Sequence, residues 1–519
     1  MNKTLVGALV AAALSVTACT ANDNDGAGDG DGNGNGNGDG KDGAAKAAAR
    51  RLERDATAVQ PAWTVERKML GQPKVVGRTA VAIVKARQHE LDLIGVDTAT
   101  GTVRWKHPYS PGAQAPGYAL SPVIAKDEDG TESVVLLEPP RPLSLDNPGH
   151  WLTPIVVLDP ATGKERSRTR NVYAATPLDE CGDEVDACLR ASYGAGRGYQ
   201  SLRVDLGTGR LGADRSGLST GRREIARKGL FSSDDRPGEV IGVERDGKTL
   251  WTSPVEKLAG KNRTTDMGWS IQWDEKSDRY TGLIGLGMPR AVRDRAEAGK
   301  AYDFDLTWWS QNSFDGSTGK VLWHKDGVMA PCFGWRGDTE EEATSADPVR
   351  CAVSGTQRVK KGRFGTTDDV SVTVQGYDPA TGTTRWSAPV AQAAGEAFVT
   401  GKSVDLMTAP GTVVVPTAKG PRLYEARTGT SAAMAPGDLF ACEGKPVGIK
   451  YVIAFAAGGK NESRDRYGDP MIEQCSPDGT VVDKPMTVAT VKDGGQEVDP
   501  STYVMSRSSG LVGYVLPKD

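Results

Sequence analysis

The chain has 519 residues and a formal net charge of −4, which leaves no basic surplus of the kind nucleic-acid binding needs. Its 64 Gly, 30 Pro and 11 Trp against 8 Phe describe a turn-rich all-β protein rather than a helical one. Beyond the N-terminal leader, no stretch reaches the roughly 20 apolar residues of a transmembrane helix.

The leader, MNKTLVGALVAAALSVTAC, starts with Lys3 and runs apolar from Leu5 to Val16. That run is too short to span a bilayer stably and reads as the core of a signal peptide, residues 1–18. Val16-Thr17-Ala18-Cys19 is similar to a bacterial lipobox, whose cysteine is acylated and becomes the mature N-terminus. This predicts lipidation at Cys19 and a protein held on the outer face of the cytoplasmic membrane. The plainer alternative is an ordinary secretory signal that happens to precede a Cys. Residues 19–43 are Gly, Asp and Asn with almost no apolar side chain, so they build no core and read as a flexible tether. Within them Asp29, Asp31, Asn33 and Gly34 copy the first half of a calcium loop, but Gly40 stands where the closing Glu belongs, so no metal is expected. Residues 44–59, opening AAKAAARRLERDA, read as a short helical stalk.

Residues 60–519 carry one repeated pattern. LDLIGVDTATGTVRWKHP holds Asp97, Thr100, Gly101 and Trp105; QNSFDGSTGKVLWHKD holds Asp315, Thr318, Gly319 and Trp323; VQGYDPATGTTRWSAP holds Asp378, Thr381, Gly382 and Trp386. The spacing D-x-x-T-G-x-x-x-W is the same in all three. An Asp that opens a turn accepts backbone N–H bonds, and Gly closes it in the left-handed conformation without a Cβ clash. An alternating apolar strand precedes the turn and a strand with Trp follows it, which predicts a hairpin whose register the turn sets. A large side chain at a constant place in each hairpin reads as a packing peg between units.

Looser copies fill the intervals: Asp159 and Gly163 (Ser167 stands in the Trp position), Asp205 and Gly209, Glu425 and Gly429, and the shorter turns at Asp246 (followed by Trp251) and Asp478. The eight turns lie about 40 to 70 residues apart, the period of propeller blades with insertions. Each interval has room for two more strands, so the expected fold is an all-β, eight-bladed β-propeller of four-stranded antiparallel blades, with seven blades as the alternative. QPAWTVE (60–66) and STYVMSRSSGLVGYVLP (501–517) each look like part of a blade, and joining them closes both open edges. Eight turns and one composite unit add up to nine, so the count of eight takes one turn as an insertion or one terminal strand as an extension.

The quoted turns resemble the repeat of PQQ-like (quinoprotein dehydrogenase-type) β-propellers over roughly residues 90–516. The resemblance implies a propeller and allows two functions. Some members are quinoprotein alcohol dehydrogenases; others are exported lipoproteins, including one of the outer-membrane β-barrel assembly machine. In the dehydrogenases adjacent cysteines cover the cofactor, a Trp forms its floor and an Asp beside Ca²⁺ acts as base.

Here no two cysteines are adjacent, and the repeat Trp and Asp residues are accounted for by packing and turns. C-x-x-C-H does not occur. GEAFVTGKS (395–403) has one residue too many for a phosphate loop and lacks the strand–loop–helix setting. His89, His107, His150 and His324 are scattered, which argues against zinc, and His107 and His324 read as exposed strand positions. The six cysteines after Cys19 fall into near-neighbour pairs and predict the disulfides Cys181–Cys188, Cys332–Cys351 and Cys442–Cys475 of an exported protein.

The expected function is therefore a non-catalytic, membrane-anchored scaffold that binds a protein or a cell-wall glycan, with no cofactor; the alternative is a PQQ-dependent dehydrogenase of alcohols or sugars. The places to look for a binding surface are 264–280, 301–314 and 328–353, which add Trp269, Trp273, Trp308, Trp309, Trp335 and Arg336 to the repeat Trp residues. Padding of long insertions accounts for the same aromatics.

Overall fold

The computed structural model describes residues 55–517, apart from short internal segments and longer ones at 113–119, 192–199, 214–229, 285–293, 334–348 and 454–461. Cys19, the tether, most of the stalk, Asp246, Trp335 and Arg336 lie outside the described residues. The end of the segment read as a helical stalk is extended: Ala58–Val59 pairs with Met486–Thr487 as a two-stranded sheet.

The described residues form nine antiparallel sheets of three or more strands. Sheet I is Lys74–Val76, Thr79–Arg87, Glu90–Asp97 and Val103–Tyr109, each strand beside the next. Sheet II is Val123–Lys126, Glu132–Leu137, Asn147–Leu158 and Glu165–Val172, with Arg141–Ser144 as an extra strand. Sheet III is Asp179–Glu180, Ala187–Ala191, Gln200–Val204 and Leu211–Ala213, and sheet IV is Leu230–Ser233, Val240–Arg245 and Lys248–Pro254. Sheet V is Trp269–Asp274, Arg279–Ile284, Ser310–Asp315 and Val321–Asp326. Sheet VI is Tyr302–Asp305, Val349–Lys360, Arg363–Tyr377 and Thr384–Pro389, with Val328–Met329 beside the second of these. Sheet VII is Thr412–Thr417, Gly420–Glu425 and Ser431–Ala433; sheet VIII is Leu406–Met407, Phe440–Glu443 and Ile472–Cys475. Sheet IX takes Gln496–Asp499, Thr502–Arg507 and Gly510–Val515 from the end of the chain and Pro61–Val65 from its start.

The turn motifs fall one to a sheet in I to VIII, and sheet IX has none. Among the described residues the composite sheet forms a separate sheet, so the sheets of three or more strands number nine against the eight expected blades. Its outer position is filled by the N-terminal strand, where a turn would otherwise connect two consecutive strands.

Alternation along the strands distributes side chains to two buried faces rather than to a core and a solvent side. In sheet I, Leu91 and Leu93 join Val81 and Ile83 against Val134, Leu136, Val156 and Leu158 of sheet II. The residues between them, Ile94 and Val96 with Ala80, Ala82 and Val84, pack against Val504 and Leu511 of sheet IX. The opposite face of sheet II, Val135, Leu137, Ile155 and Val157, meets Leu189, Leu202 and Val204 of sheet III. Sheets IV and V share a core around Ile241, Val243, Tyr280 and Phe314, and sheets VI and VII another around Val372, Val374, Val413 and Val415. Leu423 of sheet VII meets Phe440 of sheet VIII, and Ala441 and Ile472 of sheet VIII meet Tyr503 and Met505 of sheet IX. Packing thus runs from sheet III through II and I to IX, VIII, VII and VI, and joins IV to V.

All three expected disulfides are present, with Cα–Cα distances of 5.0 Å for Cys181–Cys188, 5.3 Å for Cys332–Cys351 and 5.9 Å for Cys442–Cys475. Such bonds persist outside the reducing cytoplasm and suggest an extracytoplasmic protein.

Candidate functional site

The repeat residues act at the seams between sheets. In each turn the Asp side chain accepts backbone N–H bonds: Asp97 Oδ1 from Ala99 and Thr100, both at 2.9 Å, and Asp315 Oδ1 from Thr318 at 2.8 Å. Asp159, Asp205 and Asp378 accept from Thr162, Thr208 and Thr381 in the same way. The Thr162 hydroxyl, and with it Arg166, holds the Asp159 carboxyl below the usual carboxylate range. The turn glycines Gly101, Gly163, Gly209, Gly319, Gly382 and Gly429 all have φ between 66° and 71°, the left-handed region that disfavours a side chain.

Each Trp then reaches into the next sheet. Trp105 Nε1 donates to the carbonyl of Pro160 at 2.7 Å, Trp251 to Gly316 at 2.7 Å, Trp323 to Pro379 at 2.9 Å and Trp386 to Ala426 at 2.7 Å. Trp63, on the N-terminal strand of sheet IX, donates to Thr98 at 2.8 Å. The acceptor is always the residue after the turn Asp or Glu of the following sheet. Ser167, in the Trp position of sheet II, reaches the equivalent carbonyl of Leu206 with its hydroxyl at 3.1 Å.

Two signals for this arrangement were present in the sequence but not read there. Gly95 and Gly376, two residues before the turn Asp, lie under the indoles of Trp105 and Trp386; a Cβ at either would fall 2.0 Å from the ring. Gly513 does the same for Trp63. An Arg seven residues after the turn Asp folds back on it: Arg104 bonds Asp97, Arg166 bonds Asp159 at 2.7 Å and Arg385 bonds Asp378 at 3.3 Å. His107, expected to be exposed, is half-buried, and its Nε2 lies 2.9 Å from the Gly163 carbonyl of sheet II. GEAFVTGKS begins inside the helix Gln392–Val399, so it has no strand–loop–helix setting.

The aromatics outside the repeat divide into two groups. Trp273 is structural: its Nε1 donates to Asp278 Oδ1 at 3.1 Å, and its ring stacks on Tyr280. Asp278 also binds Arg245 through both guanidinium nitrogens and accepts from Ser317 Oγ at 2.6 Å, so the turn of sheet V is tied to sheet IV. The Arg245 bonds hold the Asp278 carboxyl at about 2. Trp309 is buried edge-on against Phe304. The side chain of Trp269 lies outside the described residues.

Trp308 differs. Asp305 caps the 3₁₀ turn Leu306–Trp308 by accepting from Thr307 N at 2.8 Å, which sets Trp308 at the seam of sheets V and VI. Arg263, which follows the helix Val255–Ala259, lies over the Trp308 ring at 4.0 Å. Arg263 is 5% exposed, yet among the described residues its Nη1 has no hydrogen-bond partner, and the Trp308 Nε1 has none either. Burial lowers the Arg263 pKa to about 10, and the charge of Asp326 partly offsets this. Asp326 accepts from His324 Nε2 at 2.9 Å, and His324 Nδ1 lies 2.6 Å from Asn312 Oδ1. Chemically the cluster offers a shielded cation and an indole N–H as donors. Among the described residues, no three His, Cys, Asp or Glu side chains gather to hold a metal ion.

A second buried cation, Arg350, is fully covered but better supplied. It donates to Gln375 Oε1 at 3.1 Å and to the Gly382 carbonyl at 2.9 Å, and lies over Tyr377. Burial pushes the Tyr377 hydroxyl up to about 12, and it accepts from Gln311 Nε2 at 2.8 Å. That network joins sheets V and VI.

No protein-family model matches the sequence, and no curated protein matches it. Among solved structures it is similar to PQQ-like β-propellers at low identity. BamB from Moraxella catarrhalis is 11% identical with a TM-score of 0.29, over 88% of this chain and 100% of that one. A europium-containing methanol dehydrogenase is 13% identical with a TM-score of 0.24, over 88% and 74%. A quinohemoprotein alcohol dehydrogenase from Pseudomonas putida HK5 is 12% identical with a TM-score of 0.26, over 75% and 72%.

Proposed function

We propose that the nine sheets close as a β-propeller, held outside the cell by a lipid on Cys19, and that this ring is a non-catalytic scaffold for a protein or glycan partner. The observation that carries the reading is the use made of the repeat. Each repeat Trp gives its N–H to the neighbouring sheet and lies against that sheet's turn, as Trp323 does at Pro379 and Gly382. The Asp carboxylates are taken up by their own turns. Features that could otherwise suggest a cofactor floor and a catalytic base are thus explained by folding. The tether between Cys19 and the first sheet suits a rigid domain presented away from a membrane.

The test is to give purified protein PQQ and Ca²⁺ with a panel of alcohols and sugars and follow reduction of an artificial dye. No turnover is expected. Dye reduction that requires both PQQ and substrate would establish the dehydrogenase reading instead. For the anchor, Cys19→Ala should release the protein to the medium or leave it unprocessed; normal processing with unchanged membrane retention would remove that part of the proposal.

A further inference from the structure

We infer that Arg263 and Trp308 form a receptor for a carboxylate, at the seam of sheets V and VI. This rests on the scaffold reading and gives its ligand a chemistry. A buried guanidinium ordinarily has a counter-ion or several acceptors, because desolvating a charge without compensation is costly. Arg350 meets much of that need through Gln375 Oε1, the Gly382 carbonyl and Thr384 Oγ1, although its Nη1 too is without a partner among the described residues. Arg263 is covered to a similar degree, but among the described residues it has the Trp308 ring at 4.0 Å and the nearby charge of Asp326, and no hydrogen-bond acceptor. Among the described residues its Nη1 is buried without a partner, and so is the indole Nε1 of the ring it stacks on. Two unfilled donors therefore belong to one stacked pair, one of them charged.

A water molecule there could fill hydrogen bonds but could not balance the charge. An anion does both. The planar fork of a guanidinium fits a carboxylate through two parallel bonds, and the indole N–H is a further donor for the same oxygens. Asp326 contributes negative charge nearby, which disfavours a dianion such as phosphate and favours a single carboxylate. The site lies at the end of the strand Val321–Asp326, on the edge of sheet V, and Trp308 is only partly covered, so its ring is placed to contact the body of a ligand.

The test titrates the full chain with D-glucuronate and with N-acetylglycine, following tryptophan fluorescence. D-glucose and inorganic phosphate serve as comparisons. A saturable change with at least one carboxylate is expected, with glucuronate marking a sugar acid, N-acetylglycine a peptide end, and both a bare carboxylate. Arg263→Gln should abolish it, and Arg263→Lys, which keeps the charge but not the fork, should weaken it about tenfold. Should Arg263→Gln fail to fold by circular dichroism, Arg263→Lys and Trp308→Phe carry the test; the latter removes the indole N–H and should weaken binding several-fold. The inference is overturned by no saturable response at millimolar carboxylate, by equal responses to glucose or phosphate, or by unchanged binding in the folded variants. A null titration in protein that also lacks dye reduction removes this site alone, whereas PQQ-dependent turnover removes the scaffold reading.

Discussion

Five seams between sheets are bridged by a Trp, and the seam between sheets II and III is bridged by Ser167. The acceptor carbonyl is equivalent in all six. What differs is the buried area. At the Trp seams an indole lies between a turn glycine of the next sheet and the strand behind it. At the Ser167 seam the backbone of Arg168 itself approaches Gly209, where an added Cβ would fall 3.1 Å away. The hydrogen bond therefore sets the alignment of neighbouring sheets, and the ring adds most of the energy. A further pattern follows. Two of the three disulfides lie in sheets that receive no Trp from the sheet before them: Cys181–Cys188 in sheet III, after Ser167 of sheet II, and Cys442–Cys475 in sheet VIII, after Ala433 in the Trp position of sheet VII. Sheets IV and IX also receive no Trp and hold none of the three disulfides, so a covalent staple accompanies two of the four sheets without an incoming ring.

The largest effect should come from removing a ring. Trp105→Ala and Trp323→Ala each truncate a buried indole and should cost about 3 to 5 kcal/mol in denaturant unfolding. Unchanged stability in both would break the comparison at its root, since the rings would then carry no seam energy. Next is the staple. Replacing Cys442 and Cys475 together by Ala opens a loop of 33 residues and should cost about 4 kcal/mol on the chain-entropy model. The same change at Cys332 and Cys351 should cost about 3 kcal/mol, because that loop is 19 residues. Since sheet VI also receives Trp323, the gap between the two losses should exceed this loop-length difference, and an equal or smaller gap would dissolve the link between staples and missing rings.

Asp278 gives a seam tied by charge. Its folded pKa is depressed to about 2 from 3.8, chiefly by the Arg245 bonds. The stabilisation is therefore complete above the unfolded value and is lost as pH falls from about 4 toward 2, on the order of 1 to 2 kcal/mol. Asp278→Asn should flatten thermal stability against pH across that window; the same slope in wild type and variant would assign the acid sensitivity to other groups. The smallest effect should be at Ser167. Ser167→Ala removes one hydrogen bond and should cost about 1 kcal/mol. Ser167→Trp should not gain the energy of a ring, because the Arg168 backbone occupies the approach to Gly209. A clear stabilisation would show that seam to be as open as the others.

The turns, the hairpins, the disulfide pairs and the peg role of Trp were readable because each depends on residues close in sequence. Asp with Thr and Gly at fixed spacing specifies a turn by local hydrogen bonding and a left-handed glycine, whatever surrounds it. The pairing of Cys181 with Cys188 follows from proximity along the chain. His107 was misread because its partner, the Gly163 carbonyl, belongs to the next sheet.

The amino-acid sequence by itself determined a repeating all-β chain, its turn positions and the residues that return after each turn, since these are properties of short segments. Tertiary structure alone decided that the two ends of the chain share one sheet, because strand pairing between Pro61–Val65 and Gly510–Val515 joins residues about 450 apart. It likewise decided which carbonyl each indole meets, and that among the described residues Arg263 has only the Trp308 ring while Arg350 has three acceptors. The physical reason is common to all three. Burial and the satisfaction of a donor depend on what other sheets bring to the same place, and no short stretch of sequence carries that information.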